Sequence, residues 1–195
     1  GMVSTERIFK ILEDDLEITD NGNIEKSSFD GLIEFKNVSF SYIKNQLVID
    51  DISFIINPGE TTAIVGPTGS GKTTITNLIT KFYEIDSGTI LIDRKNINEF
   101  KLESLRKKIG VILQDVFLFA DTIYNNITLF NNDISIKDVE KAAKDLEIHD
   151  FIMSLPGGYD FNVSERGSTL SAGQKQLIAF LRVLVNNPDI LILDE

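Results

Sequence analysis

Gly66-Pro67-Thr68-Gly69-Ser70-Gly71-Lys72-Thr73 has the spacing G-x-x-x-x-G-K-[ST], and every residue type in it has a use toward a polyphosphate. Glycines let the backbone turn tightly and come close to phosphate oxygens. The successive N–H groups then form an anion-binding nest. A helix starting at Lys72 would aim its positive end at the same place. Lys72 would reach the β- and γ-phosphates, and the hydroxyl of Thr73 would sit on a Mg²⁺ ion. The chemistry implied is the binding of a nucleotide with its metal.

A second set of reactive groups lies far along the chain. Ile190-Leu191-Ile192-Leu193 is an apolar run that reads as a fully buried strand. It delivers Asp194 and Glu195 at its carboxyl end, where open α/β sheets bind ligands. Beside a P-loop, Asp194 is suited to hold the water shell of Mg²⁺, and Glu195 to orient an attacking water or accept its proton. Alone, the pair reads equally well as an acidic strand boundary on a surface. Leu170-Ser171-Ala172-Gly173-Gln174 precedes another helical stretch. Ser171 is a good N-cap, and Gly173 allows close backbone approach. This N-terminus caps its helix and can also present N–H groups and a hydroxyl to a phosphate. Spacing does not decide whether that phosphate belongs to the same chain or to a neighbour.

These groups need elements to hold them. Thr61-Thr62-Ala63-Ile64-Val65 is a short β-branched run that reads as a buried strand feeding the P-loop. Ile75, Leu78, Ile79 and Phe82 have helical spacing after it. Upstream, Ile33 and Phe35 share one strand phase, and Val38, Phe40 and Tyr42 share the other. That slip predicts a bulge or bend. Val48 to Ile56 alternates as a second strand, and Pro58-Gly59 turns the chain. Thr89 to Ile92 and Ile109 to Leu113 read as strands, Leu102 to Lys107 as a short helix. After about residue 120 the pattern becomes helical. Ile136, Val139, Ala143 and Leu146 form one stripe, Ile148 to Leu155 a second helix, and Ala172 to Val185 a third. Residues 3–17 read as a short helix, and Thr19 to Asp30 as a polar linker. The class expected is α/β.

Composition narrows the function. The chain has 195 residues, 42% of them apolar, which suits one domain with a core. A net charge of −11 speaks against a nucleic-acid partner and against a polybasic membrane-surface segment. There are no cysteines, hence no disulfides and no thiolate metal site. His149 is the one histidine and reads as a surface or helix-end residue. No apolar run approaches the roughly 20 residues that span a bilayer. No signal peptide is visible, so the chain reads as soluble, with Gly1 before Met2 as a cleavage scar.

The ordered set formed by the P-loop, Gln114, Leu170 to Gln174 and Ile190 to Glu195 resembles the nucleotide-binding domain of an ABC transporter. Leu170 to Gln174 resembles the ABC signature, which few other P-loop families carry. The resemblance covers about residues 32–195. Gln114-Asp115-Val116-Phe117-Leu118-Phe119 and Ser164-Glu165-Arg166-Gly167 look like the exporter-type branch, whose equivalents face the coupling helices of the transmembrane domain. Glu6 to Leu12 resembles the connection leaving the last membrane helix.

The resemblance implies a P-loop NTPase core with a small antiparallel β-subdomain and an α-helical subdomain at about 121–186. The domain would run over 31–195, after a linker helix and connection at 1–30. ATP and Mg²⁺ are the implied cofactors. Tyr42 would stack on adenine. Gly66, Thr68, Gly69, Ser70, Gly71, Lys72, Thr73 and Thr74 would surround the phosphates. Thr73, Gln114 and Asp194 would serve the metal, and Lys72, Gln114 and Glu195 the hydrolysis. Ser171, Gly173 and Gln174 would close on ATP held by a second copy of the domain, in a homo- or heterodimer. The whole would be an ATP-driven motor on the cytoplasmic face of a cell membrane, with no nucleic acid expected as partner.

Two departures are small: Ala172 and Ser164 stand where the family more often has glycine. A larger one is that the family pattern continues into a D-loop, another core strand and a switch histidine, none of which follows Glu195 here. His149 lies in the helical region and is not that histidine. The expectation is a domain truncated after Walker B, its sheet broken between the P-loop and Walker B strands with apolar edges exposed. Such a chain is expected to lack steady-state ATPase activity. A rival reading is a soluble ABC-type nucleotide switch acting on nucleic acid or ribosomes, against which the acidity and the coupling-type segments weigh.

Overall fold

The structure, a computed structural model, describes residues 20–164 and 169–194. The helix expected at 3–17, the Glu165-Arg166-Gly167 segment and Glu195 lie outside the described residues.

Strand β1 (Ile33–Ile43) and strand β2 (Gln46–Ile56) form an antiparallel pair. They belong to a four-stranded sheet in the order β2-β1-β3-β4, where β3 is Ser87–Ile92 and β4 is Lys95–Asn96. The phase slip in β1 is a bulge between Phe35 and Val38, with Asn37 at φ 48°. The Asn37 side-chain amide donates to Asp51 Oδ1 at 2.8 Å, and its backbone N–H to Ser53 Oγ at 2.8 Å. Asparagine tolerates this backbone better than most residues, and the extra residue restores the side-chain phase. Phe35, Val38 and Phe40 are therefore all buried although the spacing between them is uneven. They join a core with Ile75, Leu78 and Ile79 of helix α1 (Lys72–Ile79) and with Ile90, Ile92 and Phe100.

Helix α2 (Leu102–Lys107) leads into strand β5 (Ile109–Ile112), which pairs in parallel with strand β6 (Ile190–Leu193). Between β5 and β6 run α3 (Ile123–Thr128), α4 (Ile136–Asp145), α5 (His149–Ser154) and α6 (Ala172–Leu184). Leu118, Ile127, Val139, Ile152, Ile178 and Leu181 are among the residues of their common core. Reciprocal capping boxes open α4 at Ser135/Asp138 and α6 at Ser171/Gln174, which explains why both starts are readable in sequence. Gly110 in β5 lets α6 lie close, since a Cβ there would stand 2.4 Å from Val183 Cγ1. His149 is the first residue of α5, its Nδ1 2.9 Å from the Tyr159 hydroxyl.

Three expectations need correction. Thr61 to Val65 forms no strand, and Val65 is 88% exposed. A strand needs a partner for its N–H and C=O groups, and among the described residues nothing pairs with this segment. Strand β6 is not fully buried either: Leu191 and Leu193, on one face of it, are about half exposed. Phe82 is not on the helix, because α1 ends at Ile79 and Lys81 turns the chain with φ 52°. Phe82 instead faces the Arg106 guanidinium, 4.6 Å from its ring centre.

The described part of the Thr19 to Asp30 stretch that reads as a polar linker, with Gly31 and Leu32 after it, is strapped to the body. Ile24 N–H donates to Glu99 O at 2.9 Å, and Phe29 N–H to Asp189 Oδ2 at 2.8 Å. Asp93 gathers the N–H groups of Asp30, Gly31 and Leu32 at 2.9–3.1 Å and pairs with Lys26. Burial alone would raise the Asp93 carboxyl. The Lys26 ammonium and the donated N–H groups outweigh it, so its pKa lies below the ordinary value. A depressed carboxylate stabilises the fold above its ordinary pKa and loses that contribution as pH falls through the lowered value. Asp93→Ala should cost about 1–3 kcal/mol at neutral pH. Urea unfolding of both proteins should show the gap narrowing below the ordinary aspartate range.

Candidate functional site

The P-loop ends on a glycine for two reasons. Gly71 has φ 89°, and a Cβ on it would lie 2.7 Å from Ile49 Cδ1 of β2. It is the N-cap of α1, and no side chain caps that end. The first N–H groups of the helix are thus left for a ligand from outside it. Lys72 Nζ donates to the loop's own carbonyls, Gly66 O at 2.9 Å and Pro67 O at 3.0 Å. The ammonium folds back over the loop, and Ser70 N–H closes a turn onto Pro67 O at 3.1 Å. Thr68, Gly69 and Ser70 are exposed.

Thr73 and Asp194 meet. The Thr73 hydroxyl donates to Asp194 Oδ1 at 3.3 Å, across 121 positions of sequence. Asp194 is placed by β6, and its N–H donates to Ile112 O at the end of β5. Among the described residues no group of three or more His, Cys, Asp or Glu side chains is set to hold a metal. A hydroxyl and a carboxylate at hydrogen-bonding distance instead suit a hard cation that keeps water and phosphate oxygens as its other ligands. Gln114 and Asp194 line one cavity of about 270 Å³, with Gln176 and Phe180 of α6 on its wall.

Tyr42, near the end of β1, donates its hydroxyl to Thr74 Oγ1 at 3.2 Å and accepts from Asn77 Nδ2 at 3.3 Å. Ser171 caps α6: its Oγ accepts from Gln174 N–H at 3.2 Å, and Gln174 Oε1 accepts from Ser171 N–H at 2.8 Å. Ser171, Ala172 and Gly173 are exposed, and a Cβ on Gly173 would meet nothing within 4 Å. Among the described residues no hydrogen bond joins Ser171 or Gly173 to the P-loop. Glu195 is outside the described residues, directly after Asp194.

A clamp behind Gln114 escaped the sequence reading. Arg182 of α6 donates to Asn126 O at 2.8 Å and through both terminal nitrogens to Phe117 O at 3.2 Å. Asn126 is fully buried, accepts from Phe119 N–H at 2.8 Å and donates to Phe119 O at 3.0 Å. Helix α6 thereby grips the segment that follows Gln114. Burial lowers the Arg182 pKa from a value high enough to leave it charged. A lone cation within the apolar stretch Leu181 to Leu184 was the available signal, since such a group needs partners.

A profile of the family described as ABC transporter matches residues 49–195. The chain belongs to the ABC transporter family. Its fold is that of the ABC ATPases, a P-loop NTPase with mixed α/β content and an antiparallel sheet. The putative multidrug export ATP-binding/permease protein YgaD of Bacillus subtilis is 44% identical over 197 residues, which cover all of this chain and 34% of YgaD. ATP-binding cassette sub-family B member 6 of Mus musculus is 44% identical over all of this chain and 23% of its own length. The solved structure of a bacterial Atm1-family ABC exporter with ATP bound superposes with a TM-score of 0.91 at 40% identity, over all of this chain and 34% of that one. The chain thus spans about a third or less of these relatives. No helix among its described residues is long and apolar enough to cross a membrane.

Arg182→Ala strands the Asn126 and Phe117 carbonyls and should cost about 1.5–3 kcal/mol, the range for bonds to a charged group. Arg182→Lys should recover only part, because a point ammonium does not span the two carbonyls as a planar fork does. Urea midpoints of the three proteins decide this.

Proposed function

We propose that this chain is the ATP-binding and ATP-hydrolysing motor domain of an ABC exporter. It would act at the cytoplasmic face of a membrane with transmembrane partners and a second nucleotide-binding domain. The observation that carries the proposal is the Thr73–Asp194 hydrogen bond, which puts the P-loop hydroxyl and the strand-end carboxylate on one spot. Mg²⁺, when bound there with ATP, would supply charge neutralisation between the β- and γ-phosphates.

The chain's own residues do the rest. The uncapped N–H groups at Gly71 to Thr73 receive phosphate oxygens, with Thr68, Gly69, Ser70 and Thr74 around them. Lys72 releases Gly66 O and Pro67 O to reach the terminal phosphates, exchanging carbonyl partners for anionic ones. Tyr42 stacks on the base. Glu195 orients the attacking water for in-line displacement, and Gln114 senses the metal and water from the cavity it shares with Asp194. Ser171, Gly173 and Gln174 of a second copy close over the γ-phosphate. Among the described residues nothing lies within 4 Å of a Cβ built on Gly173, and that open approach would serve a partner's ligand. Losing the γ-phosphate removes contacts shared by both copies and lets them part.

Fluorescent ATP-analogue titration tests the binding half. Lys72→Ala should weaken Mg²⁺-dependent binding at least about tenfold, the loss of one charge-assisted contact. Asp194→Asn should remove most of the Mg²⁺ dependence while retaining metal-free affinity. Unchanged binding in both would overturn the assignment. For the catalytic half, Glu195→Gln in a full-length exporter carrying this domain should cut turnover by about 10²–10⁴, the span of general-base contributions.

A further inference from the structure

Tyr42 is held by more than its strand. Its hydroxyl has two partners on α1, Thr74 Oγ1 at 3.2 Å and Asn77 Nδ2 at 3.3 Å. These two residues are three apart, so they lie on the same helix face. Two rings stand perpendicular to the Tyr42 ring: Phe40 at 4.8 Å and 86°, and Tyr83 at 4.9 Å and 87°. No described ring lies flat against it, and Tyr42 remains 46% exposed. The tether fixes the hydroxyl, the edge contacts fix the ring plane, and open ring surface remains.

Tyr83 reaches this place because α1 stops when it does. Phe82 N–H bonds to Asn77 O at 2.8 Å, and Lys81 turns at φ 52°. That reversal sends Phe82 outward to Arg106 and Tyr83 back to Tyr42.

We propose that Asn77 and Tyr83 are positioning residues for base recognition, holding the Tyr42 ring as a preformed stacking platform tied through Thr74 to the phosphate cradle. The proposal rests on the reading of Tyr42 as the base-stacking residue. A side chain already fixed in its binding orientation loses less freedom when the base arrives, so affinity is gained without a new contact to the ligand. The effect is confined to ligands that carry a base. A ligand made of phosphates alone uses the Lys72 cradle and has no use for the platform.

The test is calorimetric titration of the 195-residue chain with Mg²⁺-ATP and, separately, with Mg²⁺-tripolyphosphate. Asn77→Ala and Tyr83→Leu should each weaken ATP about three- to tenfold, the range of a lost aromatic contact. Tripolyphosphate binding should stay within about twofold, within the scatter between independent sites. Tyr83→Phe should behave as the unaltered chain. Tyr42→Phe combined with Asn77→Ala should be no weaker than the worse single variant, because both act through one hydroxyl. Equal loss for ATP and tripolyphosphate, or no loss for either, would overturn the proposal. Tyr42→Ala separates the two levels. If it leaves ATP affinity unchanged, the stacking role itself is wrong and the proposal falls with it. If it weakens ATP while the Asn77 and Tyr83 variants do not, only the positioning role is wrong. An unaltered chain that binds neither ligand overturns both.

Discussion

The start of α1 is the constraint on which the rest of the molecule depends. Three separate parts of the chain converge on the seven positions from its N-cap Gly71 to Asn77. Ile49 of β2 closes against Gly71, Asp194 just after β6 takes the Thr73 hydroxyl, and Tyr42 of β1 takes Thr74 and Asn77. The helix is only 8 residues long, too short to be stable by itself in water. Its buried residues Thr74, Ile75, Thr76, Leu78 and Ile79 bind it to the first core. A phosphate cradle of backbone N–H groups has no side chain to steer it, so its position is set entirely by what grips the helix.

The same logic explains why Thr61 to Val65 departs from its local preference. β-branched residues favour a pleated, half-buried surface, but that preference is realised only when a neighbouring strand supplies the ladder. Among the described residues β5 and β6 pair only with each other, and Leu191, Leu193 and Val65 keep apolar surface exposed. The P-loop is consequently held from its helical side alone. Lys72 closes the loop on Gly66 and Pro67, which satisfies carbonyls that a flanking ladder does not.

What could be read from sequence was what is written contiguously. The P-loop, the cap at Ser171 and the acids after an apolar run are each legible because their parts lie within a few residues. The bulge in β1 was legible too, since an odd spacing between Phe35 and Val38 leaves both buried only if one residue is looped out. The short helix α3 was not, because six residues are fewer than two turns and carry no periodicity. Nor were the partners of Arg182, Asn77 and Asp93, which lie 25 or more positions away or depend on a turn such as that at Lys81. The strapped segment 20–32 looked like a linker for a related reason. Its composition is polar, but its fastening comes from backbone N–H groups and from side-chain partners such as Asp93 and Lys101 that lie far along the chain.

The clamp at Arg182 joins two regions that the sequence presents as separate motifs. Helix α6 begins at the Ser171 cap, passes Gln176 and Phe180 on the wall of the Gln114 cavity, and carries Arg182 in its last turn. Because Arg182 is bonded to Phe117 and Asn126 at once, α6 and the segment 117–126 share one polar network, part-buried at Asn126 and exposed at Phe117. At its buried end the cost of disruption is highest, since a bond broken at Asn126 leaves a desolvated group behind. Phe117 and Phe119, whose backbone groups meet Arg182 and Asn126, lie at the far end of this network from the α6 cap. Those two rings meet edge-on and are both about half exposed. The cap and the clamp thus sit on one helix, and the residues between them, Gln176 and Phe180, wall the Gln114 cavity.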